Sequence, residues 1–270
     1  MKMSIPTQLD LPLIVDEEMI AGFRSRGHVR IKAVASEFIS LIRPLVTEIV
    51  RAQQSKNDTQ GRVEEYTSMF TQVTNIWKLS AEMARFVLAK RFAHAAAALM
   101  GVPGVRLYHD QALFKPAGGK RTPWHQDQFY WPVDTTNTIT MWMPLVDISP
   151  TMGTMLFADG SHTNGPLLKE GISDHADATL AQVIEKAKYP ITEYGDFKAG
   201  DATFHSGWTV HSAYPNKSDT VREVLTVIYF ADGARITSPE TEFQEADIKA
   251  FFPGLNPGDL AASQLNPLLR

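Results

Sequence analysis

Hydrophobic and polar positions repeat with two periods along this chain, and the change falls at Gly101. Before it the spacing is mainly helical. Asp16-Glu17-Glu18 puts acidic groups where a first helical turn favours them, and a short strand around Val29-Arg30-Ile31 follows. From Ser36 to about Gln54, Phe38, Ile39, Leu41, Ile42, Leu45 and Ile49 recur at helical spacing. Ser80 to Met100 repeats the pattern with Met83, Phe86, Val87 and Leu99, and Gly101 ends it. After Gly101 the chain breaks into short β-rich runs: Val105 to Phe114, Trp124 to Trp131, Thr138 to Val146, Met155 to Phe157, Ala202 to Phe204, Trp208 to Ser212 and Val221 to Phe230. Such runs, separated by Gly, Pro and Asn, predict a sandwich or barrel. A helix from Asp177 to Lys188 interrupts them, and the tail from Asp232 is rich in Pro, Gly and Asn. The expected organisation is one domain over 1–270: a helical packing segment to 101, a β core over 102–231 and a tail over 232–270.

Composition narrows the partners. A chain of 270 residues can fill one core without a second domain. Its 26 Lys and Arg against 30 Asp and Glu give a net charge of −4, so no basic field invites nucleic acid or an anionic membrane surface. A small molecule is the expected partner. There is no cysteine, which excludes disulfides, thiolate zinc sites and a cysteine nucleophile, so any metal must be held by imidazole and carboxylate. The opening residues carry no apolar run of signal-peptide length, and nowhere do about 18 apolar residues run together. The expectation is a soluble chain in the reducing cytoplasm.

The chemistry begins in Thr-Pro-Trp-His-Gln-Asp-Gln-Phe-Tyr-Trp, ending at Trp131. Read as a strand, it points His125, Asp127, Phe129 and Trp131 one way and Gln126, Gln128 and Tyr130 the other. One imidazole and one carboxylate thus converge, and a second histidine would complete the triad that binds non-haem Fe(II) with coordination positions open. The competing reading is a satisfied histidine beside a strand-end aspartate. His175-Ala176-Asp177 has the same spacing but opens a helix, where residues two apart do not share a face, so it reads as capping and surface chemistry. For the distal histidine the candidates are His162, in a turn, and His205 and His211, six apart. His211 ends the Trp208 to Ser212 run and is the better choice; His205, beside the Gly207 turn, would brace the ligands or face the substrate. In Val221 to Phe230, alternation puts Arg222 on a largely apolar face with Val224, Thr226 and Ile228. A guanidinium inside a barrel needs an anion, and a carboxylate held bidentately satisfies it; at a strand end it could instead reach solvent or a neighbouring acid.

Together these residues resemble the phytanoyl-CoA dioxygenase family of Fe(II)/2-oxoglutarate oxygenases. The resemblance runs from Tyr66 to Arg235 and rests on Asp-Gln-Ala-Leu-Phe-Lys-Pro from Asp110, Thr-Pro-Trp-His-Gln-Asp, the tryptophan of Thr-Met-Trp-Met-Pro-Leu, Gly-Thr-Met-Leu-Phe-Ala-Asp-Gly-Ser-His, and Gly-Asp-Ala-Thr-Phe-His-Ser-Gly-Trp-Thr-Val-His-Ser-Ala-Tyr-Pro-Asn, with Arg222 eleven residues after His211. It implies a mainly β fold with appended helices, a double-stranded β-helix (jelly-roll, cupin-like) barrel. By the same resemblance His125, Asp127 and His211 match the iron ligands, Arg222 the residue holding the far carboxylate of 2-oxoglutarate, and Gln111, four residues before Lys115, and Trp142 the lining of its pocket. Tyr66 stands where some relatives place a lysine near the cosubstrate. The hydroxyl residue that family members carry two positions after the distal histidine is here Ala213, so that contact is absent or comes from elsewhere, Ser212 being one source. Asp127 argues against the related halogenases, which replace the carboxylate.

The implied reaction couples O2 and the conversion of 2-oxoglutarate to succinate and CO2 to oxidation, usually hydroxylation, of a small molecule, natural products among them. Residues proposed to meet that substrate are Phe129, Tyr130, Trp131, His205, Trp208 and Arg235, with Lys120 and Arg121 either meeting an acidic group or lying in a solvated loop. The competing classes are a jelly-roll metal-binding protein without chemistry and a zinc hydrolase. A hydrolase needs a general base beside an activated water, and the motif region offers no Glu for it.

Overall fold

The computed structural model describes residues 7–57 and 70–270, so Tyr66 lies outside the described residues. The strands are β1 (His28–Ile31), β2 (Thr71–Thr74), β3 (Val105–Lys115), β4 (Thr122–His125), β5 (Thr138–Pro144), β6 (Met155–Ala158), β7 (Ile191–Glu193), β8 (Ala202–Ser206), β9 (His211–Ala213), β10 (Arg222–Ala231) and β11 (Leu268–Leu269). They make two antiparallel sheets. The seven-stranded one runs β1-β8-β5-β10-β3-β11 with β2 also on β3; the four-stranded one runs β4-β9-β6-β7. Facing sheets with strands that cross between them form the expected jelly roll.

The helices are α1 (Glu17–Arg26), α2 (Ile39–Asn57), α3 (Ala81–Val87), α4 (Lys90–Met100), α5 (Asp174–Ala187) and α6 (Glu242–Phe251). Asp16 caps α1 by accepting the Met19 N–H at 2.8 Å. The stretch expected to be one helix from Ser80 to Met100 is two, broken at Leu88-Ala89. On one continuous helix the buried Met83, Phe86 and Val87 would point opposite to the buried Phe92, Ala95, Ala96 and Leu99. The break lets both sets enter one core.

Period-two alternation then divides the large sheet between two tasks. Ile139, Met141 and Met143 of β5 and Leu225, Val227 and Tyr229 of β10 pack beneath Phe38, Ile42, Phe86, Phe92 and Leu99 of the helical layer. The intervening Thr140, Trp142, Arg222, Thr226 and Ile228 face a cavity between the sheets. On the outside of the small sheet, Leu180 and Ile184 of α5 pack on Trp124, Leu156 and Ala158. The tail, rich in Pro, Gly and Asn, carries α6 and β11, which pairs with β3 through Leu268↔Arg106. Among the described residues no helix is long and apolar enough to cross a membrane.

Phe86 is fully buried, with Phe38 and Phe92 set against it at ring-centroid distances of 6.5 and 5.1 Å. Phe86→Ala is expected to destabilise the fold by about 3–5 kcal/mol, read as a lower urea midpoint with an unchanged denaturant slope.

Candidate functional site

Two strands of the small sheet bring the first two imidazoles together. β4 and β9 pair through Thr122↔Ala213 and His125↔His211, so four residues of β4 oppose three of β9. This bulge sets His125 directly across from His211, and their ring centroids lie 4.1 Å apart. Each ring is aimed by its own chain: Nδ1 of His125 lies 2.8 Å from the Pro123 carbonyl, and Nδ1 of His211 2.9 Å from that of Thr209. Donation from Nδ1 leaves Nε2 as the free acceptor nitrogen, the form a metal needs.

Asp127 arrives differently from the expected strand. β4 stops at His125, and Asp127–Tyr130 form a 3-10 turn, so the alternation expected over Trp124 to Trp131 fails beyond His125. The turn is made by tertiary hydrogen bonds: the Gln126 amide donates to the carbonyls of Trp208 and Gly165 at 2.6 and 2.9 Å, and the Gln128 N–H to that of Gly207 at 2.9 Å. Asp127 Oδ1 lies 3.5 Å from His125 Nε2 and 3.6 Å from His211 Nε2. Its other oxygen, Oδ2, accepts from Thr140 at 3.1 Å and contacts His205 Nε2 at 3.3 Å. Donor atoms of His125, Asp127 and His211 all lie within 4.8 Å of one another, a spacing that suits one metal ion. His205 reaches the far oxygen of the carboxylate, where it braces Asp127.

Electrostatics match that use. Burial alone would raise the Asp127 carboxyl, but His211, His125 and His205 hold it well below the ordinary carboxylate range. Burial, and then His125 beside it, keep the His211 imidazole well below its usual value, hence neutral. Behind the site, buried His28 stacks on Phe157 at 4.4 Å, and Phe157 on His211 at 6.2 Å. His28 is itself fixed between Tyr194 Oη and Asp159 Oδ1, each at 2.8 Å.

Further along the cavity, Arg222 is 2% exposed. One guanidinium nitrogen donates to the Gly153 carbonyl, Nε has no partner, and the group lies 5.5 Å over the Trp142 ring. Gly153 has φ +87°, and a Cβ there would collide with the Tyr214 carbonyl, so the turn whose carbonyl meets Arg222 requires glycine to pack against Tyr214 and Pro215. No carboxylate pairs with Arg222 among the described residues, and burial lowers its pKa to about 10. Lys115, its partner in the β10–β3 register, is also buried but is met by the Lys120 and Tyr214 carbonyls and Thr122 Oγ1 at 2.9, 3.1 and 3.0 Å. Arg222 is thus the cation left to bind an anion. Trp142 and Gln111 line the same cavity, paired with Thr226 on either side of β10.

Of the residues expected to face a substrate, Tyr130, Trp131 and His205 line this cavity of about 260 Å³. Three do not. Phe129 turns towards α5 and α6, packing on Phe243; Trp208 lies in the turn before β9, beside a separate depression; and the Arg235 guanidinium bonds the Gly258 carbonyl. The strand expected from Trp208 to Ser212 is shorter, beginning only at His211. Arg121 pairs with Asp177, which also accepts the Trp124 N–H at 2.7 Å and so ties α5 to β4. Ser212 donates its hydroxyl to the Thr122 carbonyl at 2.8 Å. Missed in the sequence were His109, Thr140, Thr226, Asp247 and Phe251 of the lining. The first three stand at even spacing from Gln111, Trp142 and Arg222, a signal that alternation carries. The last two depend on α6, whose Thr241-Glu242-Phe243-Gln244 start has the form of a capping box.

A profile of the phytanoyl-CoA dioxygenase family (PhyH) matches residues 23–224. Among curated proteins, the chain is similar to a probable alpha-ketoglutarate-dependent hypophosphite dioxygenase of Stutzerimonas stutzeri, at 27% identity over 139 residues, 48% of this chain and 46% of that one. It is also similar to phytanoyl-CoA dioxygenase 1 of Oryza sativa subsp. japonica, at 27% over 113 residues, 41% and 38% of the two chains. The chain thus aligns with less than half the length of either curated relative. Among solved structures, the non-haem alpha ketoglutarate-dependent carbocyclase SnoK from nogalamycin biosynthesis matches with a TM-score of 0.77 at 25% identity, covering 95% of this chain and 97% of its own. The epimerase SnoN, solved with Fe3+, alpha ketoglutarate and nogalamycin RO, gives 0.72 at 26% identity, covering 94% and 98%. EctD from S. alaskensis, at 20% identity, TM-score 0.69 and coverage of 85% and 83%, shares the fold. With most of its length matched by the family profile, the chain belongs to the phytanoyl-CoA dioxygenase family.

Proposed function

We propose that the chain is an Fe(II)- and 2-oxoglutarate-dependent dioxygenase that oxidises, by hydroxylation, a small molecule with release of succinate and CO2. One observation carries the reading: a single cavity holds a His125–Asp127–His211 donor set and, further along, a buried guanidinium without a carboxylate partner. In this reading 1–270 act as one oxygenase domain, and the lack of cysteine fits a cytoplasmic setting. His125 and His211 offer Nε2 and Asp127 offers Oδ1 to the iron, while Thr140 and His205 hold the carboxylate in place. Three protein ligands leave room for a chelating cosubstrate and for O2. Iron with 2-oxoglutarate and O2 supplies the oxidising power when bound. Arg222, its position fixed by the Gly153 carbonyl, takes the far carboxylate of 2-oxoglutarate, with Trp142 and Gln111 beside it. Apolar Leu113, Met155 and Ile228 in the lining limit water around these groups.

Adding Fe(II) and 2-oxoglutarate without oxygen is expected to give a metal-to-ligand charge-transfer band; well-folded, iron-loaded protein without that band would overturn the assignment. Arg222→Ala is expected to weaken 2-oxoglutarate binding by about thirtyfold or more, equivalent to about 2 kcal/mol, and an unchanged affinity would remove the anchor role. The two distal-histidine candidates separate by Co(II) titration. His211→Ala is expected to lose stoichiometric binding, whereas His205→Ala keeps it with affinity lowered about 10–100-fold; the opposite result would exchange their roles.

A further inference from the structure

The cavity has a second polar end that iron and 2-oxoglutarate leave unused. Pairing across the large sheet puts His109 opposite Ile228, six residues along β10 from Arg222, or about 20 Å away at strand rise. There α6 lays Asp247 and Phe251, four residues apart and so on one helix face, against the cavity beside His109, Tyr130 and Trp131. Phe251 stacks on His109 at 4.2 Å and packs on Tyr108 at 5.5 Å.

Charge at this end is unbalanced. Asp247 Oδ2 accepts the hydroxyl of fully buried Tyr108 at 2.6 Å, a neutral donor that supplies no opposite charge. Arg222, at the opposite end, is the one lysine or arginine among the described residues lining the cavity. His109 cannot serve as counterion, because burial holds its imidazole down to about 4; its Nδ1 is buried without a hydrogen-bond partner. Burial in turn lifts the Asp247 carboxyl to about 7, and no cation opposes that rise. A carboxylate or phosphate on a ligand here would repel Asp247. A cation would pair with it, and the aromatic lining from Tyr130, Trp131 and Phe251 suits the apolar body that carries it.

We propose that Asp247 determines substrate specificity, and that the substrate carries a protonated basic nitrogen seated against Asp247 among Tyr130, Trp131 and Phe251. Neutral His109 offers a ring nitrogen to a polar group on the same molecule. This assignment rests on the oxygenase reading of the cavity. It names the class, an amine with an apolar body, whose oxidised position lies towards the His125–Asp127–His211 donors.

The test uses anaerobic protein loaded with Fe(II) and 2-oxoglutarate, titrated calorimetrically with aromatic alkylamines of increasing ring number, each paired with its isosteric alcohol. At least one amine is expected to bind about tenfold tighter than its alcohol or more. Asp247→Asn, which keeps an acceptor for Tyr108 but removes the charge, is expected to erase that preference; Tyr108→Phe, which leaves the charge, is expected to retain it. Equal binding of amines and alcohols, binding of no amine, or a preference that survives Asp247→Asn would each overturn the proposal. The charge-transfer band is read on the same samples, so its absence from the wild type identifies a failure of the oxygenase reading instead.

Discussion

Antiparallel pairing of β4 with β9, with one residue more on β4, is the constraint on which the site depends. Without the bulge, His125 and His211 would not stand opposite one another across the ladder. With it, two imidazoles separated by most of the barrel sequence share a cross-strand position, and each takes its tautomer from a carbonyl two residues back. The polar turn after β4 adds Asp127 by a route that no strand periodicity describes. Gln126 and Gln128 hold that turn against Gly165, Trp208 and Gly207, so the loops closing the barrel end also position the carboxylate.

The large sheet supplies a graded floor beneath this centre. One row across it reads His28, His205, Thr140, Ile228 and His109 on β1, β8, β5, β10 and β3. The next reads Thr203, Trp142, Thr226 and Gln111. Arg222 and Lys115 end the series. At one level of β10 the sheet therefore carries His109, at the Asp247 side, together with the Thr140 and His205 that steady Asp127, and six residues away along the strand comes the unpaired guanidinium. Two buried basic side chains stand side by side because their states differ: burial and the neighbouring Arg222 push the Lys115 amine down to about 6, with three protein acceptors around it, whereas Arg222 keeps its charge and donor capacity for an anion.

Much of this was legible because period-two alternation is local. Arg222 on an inward face and the rejection of His175-Ala176-Asp177 in favour of His125-Gln126-Asp127 both follow from counting along one element. His175 sits on α5 bonded to Glu170, and Asp177 serves Arg121 and Trp124. What failed did so where long-range contacts overrode local spacing. Phe129 and Trp131 were expected on one strand face, but a turn separates their directions. Helix spacing over Ser80 to Met100 hid a break that serves packing beneath the large sheet.

By itself the sequence determined the residue types, the change of period at Gly101, and the short motifs whose spacing fits iron and a dicarboxylate. Those depend on chemistry and on neighbours a few positions apart. Only the tertiary structure decided which histidine meets Asp127 Oδ1 and which meets Oδ2, because that follows from strand register and from a turn held by distant carbonyls. It alone brought Asp247 and Phe251 from the C-terminal region over the cavity, since a helix packing on Tyr108 and His109 is a contact between segments more than a hundred residues apart.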